Sequence, residues 1–578
     1  MSNASTPLPV SSSVATRRRP RRLGILLAAG VISLAFTPTP VTVAAAVNST
    51  NPFCARLGHS IQASAGAQMY CFGAKLGAAP AFRAQPLGPS SSANVNAASL
   101  AEDVSPNGVR GYGQSETSIG AAGNYVVEAW NDSTAFFSPC GSPMNKEELT
   151  GFAFSNDGGK TFTDLGGLPN SDCANSRYGG DPSVQPWSAG GKTYFYISSL
   201  FNDISGTTGI SYIAFAACVV NGSGSTAALS CGQPVKAAQS TECLPASPPF
   251  PPFCSFLDKD FLTLDASRGR LYASYTEFGF SSFDGGGAIE LAVCDIGKPN
   301  GAAGPDGGTA SMPVCPQGQA TTTPVPYYVV APTPTSGCEN EGAYPATSAN
   351  GDVYVAYEAN WASNLSGCPD PTRNVTTHTP SSCLMVTLVS PCSSGPDGVA
   401  SVNIVSMDSA FIPGYNRFPM NDFPRIAVSD AHRTVSIVWN DASLNPLGDI
   451  LLQSYHLGAA LSPVQATPAR INSRTGGANF LPGLRNATSD GRLQVSWYSR
   501  KTANTALTDV QASSVNPNAS GPTTNVKVTT VATNWLAVSS DIIPNFGDYT
   551  DNFALGSHDY VAWSDGRLGE PQPYCDRR

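Results

Sequence analysis

Charged side chains are scarce in this chain: Asp, Glu, Lys and Arg make up only 13% of its 578 residues. Such a composition excludes a coiled coil and a charge-rich disordered chain. No long amphipathic helix can be traced either. Histidine occurs five times and no C-x-x-C pair is present, so a zinc site is not expected. Apart from the N-terminus, no run is apolar for long enough to cross a bilayer.

What fills the chain instead is 56 Gly and 47 Pro, set among Ser, Thr and Asn between short runs rich in Val, Tyr, Phe and Trp. That texture predicts an all-β protein with many loops. The N-terminus reads "RRRPRRLGILLAAGVISLAF", five arginines and then an apolar run from Leu23 to Phe36, a secretory leader rather than a membrane span. Cleavage is expected near Ala46, with export by the general secretory route or, given the paired arginines, the twin-arginine route. The leader holds five of the 32 basic residues and none of the 41 acidic ones, which leaves the remainder near −14 (27 basic against 41 acidic). Nucleic acid is therefore not an expected partner.

Fifteen cysteines in an exported chain imply disulfides, and an odd count leaves one thiol over. Neighbours in sequence suggest Cys54 with Cys71, Cys218 with Cys231, Cys243 with Cys254, and Cys294 with Cys315.

A repeat runs through the chain: an acidic or amide residue, an apolar stretch, a tight turn, then a strand ending in an aromatic residue. Its copies open at Glu116, Asp181, Asp258, Glu341, Asp422, Asn479 and Asp548, spaced 57 to 83 residues apart. "ETSIGAAGNYVVEAWND" and "DYTDNFALGSHDYVAWSDGR" are the first and last. Each copy is a hairpin with room for two further strands, and four strands per unit repeated radially make a β-propeller blade. Seven blades are expected, with six as the alternative if the copy at Asn479 or Asp181 is an embellishment. The last copy ends too near Arg578 to hold its outer strands, so residues around Ala93 to Val109 are expected to complete it, and Cys575 to tie the closure to Cys54 or Cys71. The domain layout is then a leader at 1–46, a disulfide loop, linker and closing strand at 47–110, and the propeller at 111–578.

One hairpin carries a further spelling, Ser155-x-Asp157-x-Gly159-x-Thr161-Phe162. It resembles the Asp-box of sialidases and related propellers, S-x-D-x-G-x-T-W, with Phe in place of Trp. Together with strand ends such as "VWND" and "AWSDGR", it makes residues 111 to 578 similar to the secreted bacterial sialidase-like (BNR-repeat) propellers. In that family the Asp-box is a structural turn on the outer side of a blade.

The resemblance implies an exo-glycosidase of the sialidase type, with three arginines gripping a substrate carboxylate, a tyrosine with a glutamate as nucleophile, and an aspartate as acid/base. Arg417, Arg485, Arg500 and Arg567 are the candidate arginines, Tyr549 the candidate nucleophile by location, and Asp565 the strand-end carboxylate near them. The family's Arg-Ile-Pro is missing, since Arg110 lies in "GVRGYGQ". The alternative is a non-catalytic propeller that binds a glycan or glycoprotein. In that reading the repeat acids Glu116, Asp181, Asp258, Glu341, Asp422 and Asp548 converge on one mouth of the channel. Like charges at close range raise one another's pKa, so something must offset them. A hard cation such as Ca²⁺ suits oxygen ligands, and arginines or backbone N–H groups are the other means.

Overall fold

The structure is a computed structural model. It describes Ala67 and residues 94–578, other than 106–107, 138–139, 141–147, 206–208, 247–251, 280–286, 319–327, 334–338, 362–371, 379–398, 406–411, 416–421 and 458–459. All of them belong to one compact unit, Ala45–Arg578.

Each repeat copy supplies the first hairpin of one antiparallel sheet, and the described residues form seven sheets of four or more strands. In chain order the inner hairpins are Gln114–Ala122 with Tyr125–Asp132 (sheet 1), Ser183–Ala189 with Lys192–Asp203 (sheet 2) and Phe256–Asp265 with Arg270–Phe278 (sheet 3). Glu339–Thr347 with Val353–Trp361 (sheet 4), Arg425–Ser429 with Thr434–Asp441 (sheet 5), Asn479–Gly483 with Leu493–Arg500 (sheet 6) and Asp551–Leu555 with His558–Asp565 (sheet 7) follow. Each sheet packs on the next, and sheet 7 packs on sheet 1, which closes the β-propeller.

Closure comes from the N-terminal side, but the last copy does hold one outer strand of its own, Gln572–Arg577, contrary to expectation, and borrows only the fourth. Val95–Asn96 is the outermost strand of sheet 7, pairing Val95 with Cys575 and Asn96 with Tyr574. A ring closed by its own early strand leaves no long free edge at the seam. Cys575 itself is a buried free thiol, which corrects the expected tie, while Cys54 and Cys71 lie outside the described residues. The bonds Cys218–Cys231, Cys243–Cys254 and Cys294–Cys315 form as their spacing suggests, and Cys140–Cys173 adds one that spacing did not suggest. Among the described residues no helix is long and apolar enough to cross a membrane.

The strand-end motif of the repeat has a definite mechanical use. Trp130, Trp439, Trp497 and Trp563 are all buried between sheets. At two of the three Trp-x-Asp strand ends, the indole N–H of Trp439 donates to Asp441 (3.1 Å) and that of Trp563 to Asp565 (2.8 Å). The buried ring thus keeps a partner for its one polar atom. The residue between them reaches the neighbouring sheet: Asn131 Oδ1 accepts from Asp181 N at 2.6 Å, and Asn440 Oδ1 from Leu481 N at 3.1 Å.

The turn of "FSNDGGKTF" is closed by Asp157, whose Oδ1 accepts from the N–H groups of Lys160 and Thr161 at 3.0 Å and whose Oδ2 accepts from Thr161 Oγ1 at 2.7 Å. Ser155 Oγ accepts from Gly159 N at 2.9 Å. Gly158 and Gly159 have φ of +79° and +82°, a region that side chains disfavour. The sequence pattern therefore specifies a turn, on the edge of sheet 1 and away from the channel.

Candidate functional site

The strands that line the channel begin with an irregularity that sets which side chains point inward. In sheets 1, 3, 4 and 6 the pairing of the inner hairpin shifts at its start, between Ser115 and Ser118, Asp258 and Phe261, Glu341 and Tyr344, and Phe480 and Gly483. Such bulges turn one residue out of the pleat. The turned residues have positive φ: Glu116 (+57°), Lys259 (+54°), Gly342 (+68°) and Leu481 (+47°), with Asp181 (+57°) at the same place in sheet 2.

The expected ring of six acids is corrected at this point. Glu116 and Asp181 occupy the turned position, whereas Asp258 and Glu341 stand one residue before it, opposite Thr276 and Glu358. A slip of one residue sends a side chain in another direction. Sheet 3 accordingly presents Lys259, not Asp258, to the channel. Its Nζ lies 2.9 Å from Asp181 Oδ2 and 3.7 Å from Glu116 Oε1, and it is in contact with Asp548 Oδ2. Asp258 Oδ1 instead accepts from the N–H of Lys259, at 3.0 Å. Asp422 accepts from the Asn440 side chain. Among the described residues no group of three or more His, Cys, Asp or Glu side chains is placed to hold a metal ion.

Lys259 and the three carboxyl groups around it are almost wholly buried. Burial pulls the ammonium's pKa down, but Asp181, Asp548 and Glu116 overrule it and hold it well above its ordinary value. Glu116 is pushed well above the carboxylate range by burial first and by the Asp181 charge second. Its oxygens also accept from Asn131 Nδ2 (2.8 Å) and Asp548 N (3.0 Å).

A second layer lies two residues further along the strands. Asp551 Oδ2 accepts from Ser118 Oγ at 2.7 Å, Ser118 Oγ accepts from Val184 N at 3.0 Å, and Ser183 Oγ accepts from Leu262 N at 3.0 Å. Sheets 7, 1, 2 and 3 are thereby laced together by side chains that satisfy the neighbouring strand. Arg425 enters the same layer, 2.9 Å from Asp551 and stacked 3.9 Å over the Tyr344 ring and 4.4 Å over that of Phe261.

Of the described candidate catalytic residues, Arg485 and Tyr549 both pack against Phe261, whereas Arg500, Arg567 and Asp565 are engaged elsewhere. Arg485 reaches the channel, where it bonds Ser183 Oγ (2.9 Å) and stacks 4.5 Å over Phe261. Arg500 stays in sheet 6, bonded to Thr508 Oγ1 (3.0 Å) and Pro413 O (2.6 Å), with burial pulling its pKa down to about 9. Arg567 pairs with Asp565 at 2.7 Å and reaches Asn94 and Thr530, each at 3.1 Å, which fastens the closing segment. Asp565 is consumed by that pair and by Trp563 and Thr533. Arg110 forms an ion pair with Glu570 at the rim, and Arg417 lies outside the described residues. Tyr549 donates its hydroxyl to Pro182 O at 2.9 Å, and burial, with Asp181 and Glu116 beside it, pushes the phenol well above its ordinary pKa. A phenol so held is a poor nucleophile.

Sequence reasoning missed Lys259, Arg425 and Asp551. The first stands in "DKDF", where a lysine directly follows the repeat acid, and the second in "FPRIAVS", where an arginine occupies a strand start that is otherwise apolar or small. Glu277, a strand-end acid of sheet 3, accepts from Thr241 N (2.6 Å), Thr241 Oγ1 (2.7 Å) and Ser255. Glu290 on the next strand is pushed well above the carboxylate range by burial and by the Glu277 charge. A groove of about 330 Å³ lined by Phe152, Leu165, Pro169, Leu229 and Gln233 lies between the outer strands of sheets 1 and 2, and none of the candidate residues lines it.

No family model matches the sequence, and no curated protein matches it. Among solved structures, the chain is similar to an α-L-arabinanase of Penicillium chrysogenum complexed with arabinobiose, at 12% identity over 77% of this chain and 100% of that one, with a TM-score of 0.38. An α-L-arabinofuranosidase of Fusarium graminearum matches at 10% identity over 84% and 97%, with a TM-score of 0.40. A Trypanosoma rangeli sialidase mutant displaying trans-sialidase activity matches at 11% over 86% and 59%, with a TM-score of 0.36. At such scores the likeness carries no weight of its own, and the assignment as a propeller rests on the sheets described above.

Proposed function

We propose that this protein is a glycan-acting propeller of the glycoside hydrolase kind, with Glu116 and Asp181 as its carboxyl pair. The observation that supports this reading is the unequal surroundings of the two groups: burial and the Asp181 charge push Glu116 well above the carboxylate range, and Asp181 faces the Lys259 ammonium at 2.9 Å. Glycosidic cleavage uses one carboxylic acid to protonate the leaving oxygen and one carboxylate to activate water or attack the anomeric carbon. Glu116 is suited to the first role and Asp181 to the second. Neutral terminal sugars are the favoured substrate class, because Arg500 and Arg567 are engaged elsewhere and do not gather to grip an anionic sugar. That argues against the sialidase type.

The burial of Glu116 and Asp181, each 0% exposed, favours a second reading: the cluster locks the sheets together, and the protein binds a glycan or glycoprotein at its rim without cleaving it. The experiment is incubation of the mature protein with arabinosides, sialosides and neutral oligosaccharides, with released sugar read by mass spectrometry. Release of a neutral terminal sugar that Glu116→Gln abolishes, with the melting temperature retained, supports the hydrolase. Absence of release from every glycan, alongside measurable glycan binding, replaces it with the second reading.

A further inference from the structure

Below the Lys259 layer, two buried guanidinium groups share a single carboxylate. Arg425 Nη2 lies 2.9 Å from Asp551 Oδ1, and Arg485 Nη1 lies 3.7 Å from Asp551 Oδ2. Asp551 is already loaded, since Oδ2 also accepts from Ser118 Oγ at 2.7 Å and Ile119 N at 3.4 Å. The side chains of Arg425 and Arg485 are 2% and 6% exposed, so water outside the channel does not solvate them.

Their faces are occupied and part of their edges is not. Both guanidinium carbons stand over the Phe261 ring, at 4.4 and 4.5 Å, and Arg425 also covers Tyr344. Stacking leaves the in-plane N–H groups to find acceptors. Arg485 Nη2 finds Ser183 Oγ and Val184 O. Among the described residues, Nε and Nη1 of Arg425 and Nε and Nη1 of Arg485 have no hydrogen-bond acceptor. Buried donors of this kind are nearly always satisfied, and a guanidinium cannot shed its charge to escape.

Charge leads to the same place. Asp181 and Asp548 face Lys259 in the layer above. Among the described residues, Asp551 is the carboxylate that pairs with Arg425 and with Arg485, one negative charge against two positive. A water molecule could accept hydrogen bonds there but would leave the excess positive charge unbalanced in a dry space.

We propose that the space between Arg425 and Arg485 is a binding site for a small inorganic monoanion of halide size, which serves as the second counter-charge of the channel. It is distinct from the Glu116–Asp181 pair and independent of whether that pair is catalytic.

Bromide is the probe. Crystals of the mature protein grown in sodium bromide are expected to show an anomalous peak within hydrogen-bond distance of both guanidinium groups. The melting temperature is expected to rise saturably, by a few degrees, in chloride or bromide relative to gluconate at equal ionic strength. Arg425→Met, close in length and uncharged, should abolish that halide response. If the variant does not fold, the wild-type anomalous map decides. Water or a side-chain oxygen on the free guanidinium edges with no bromide peak overturns the proposal, as does a peak found only elsewhere.

Discussion

Lys259 of sheet 3 is held by Asp181 of sheet 2, with 2.9 Å between Nζ and Oδ2, and its other carboxyl neighbours come from sheet 1 and from the entry to sheet 7. One ammonium therefore couples elements that are far apart in sequence. Breaking such a buried pair by removing one partner leaves uncompensated charge, whereas in water the same contact would be worth little.

Lys259→Met is expected to cost about 3–5 kcal/mol of stability at neutral pH, measured by urea unfolding. The loss should shrink at pH 4, where the abandoned carboxyls can take up protons. An equal loss at both pH values would mean that packing, not charge, is what Lys259 supplies.

Asn131→Ala and Asn440→Ala each strand a buried N–H of the next sheet, on Asp181 and Leu481 respectively. A buried donor left without a partner costs roughly 1–3 kcal/mol, and both variants should lose stability in that range. The two sites lie in different sheets, so the double mutant should lose the sum within about 0.5 kcal/mol. Calorimetric unfolding of the three variants tests both statements.

Acid should stabilise this fold. Burial, as the largest cause, pushes Asp103 and Glu148 up to about 8 and Asp164 and Asp559 up to about 7. Each carboxyl binds its proton more tightly in the folded than in the unfolded chain. Its stabilising contribution is complete below about pH 4 and is lost as the pH rises from there through the folded-state values. The melting temperature should therefore fall steadily between pH 5 and pH 9, and Asp103→Asn should flatten the upper part of that slope. A profile that climbs toward pH 9 would contradict these assignments.

Cys575 should resist modification. Its thiol is buried, and burial together with the nearby Glu128 pushes its pKa well above the ordinary value, so little thiolate is available to react. Mass spectrometry after iodoacetamide treatment should find Cys575 unlabelled in the native protein and labelled after unfolding in guanidinium chloride.

The sequence by itself determined the all-β class, the hairpin repeat and the closure of the ring. These are local properties: turns need Gly and Asp at set offsets, strands need alternating apolar residues, and a last copy that supplies three strands borrows its fourth. It also determined the Asp157 turn, because the bonds that Ser155 and Asp157 accept within it span four residues or fewer.

What the channel contains was decided by the tertiary structure. The repeat acids look equivalent in a line of text, yet Glu116 and Asp181 take the turned position while Asp258 and Glu341 fall one residue short of it, behind Lys259 and Gly342. Bulge position is fixed by how each strand packs on its neighbours, and a shift of one residue reverses which side chain enters the channel. The pairing of Arg425 with Asp551 crosses 126 residues of sequence, and that of Lys259 with Asp181 crosses 78. Composition announced that the acids must be offset, but only the closing of the ring, which brings distant strands within a few ångströms, selected the cations that do it.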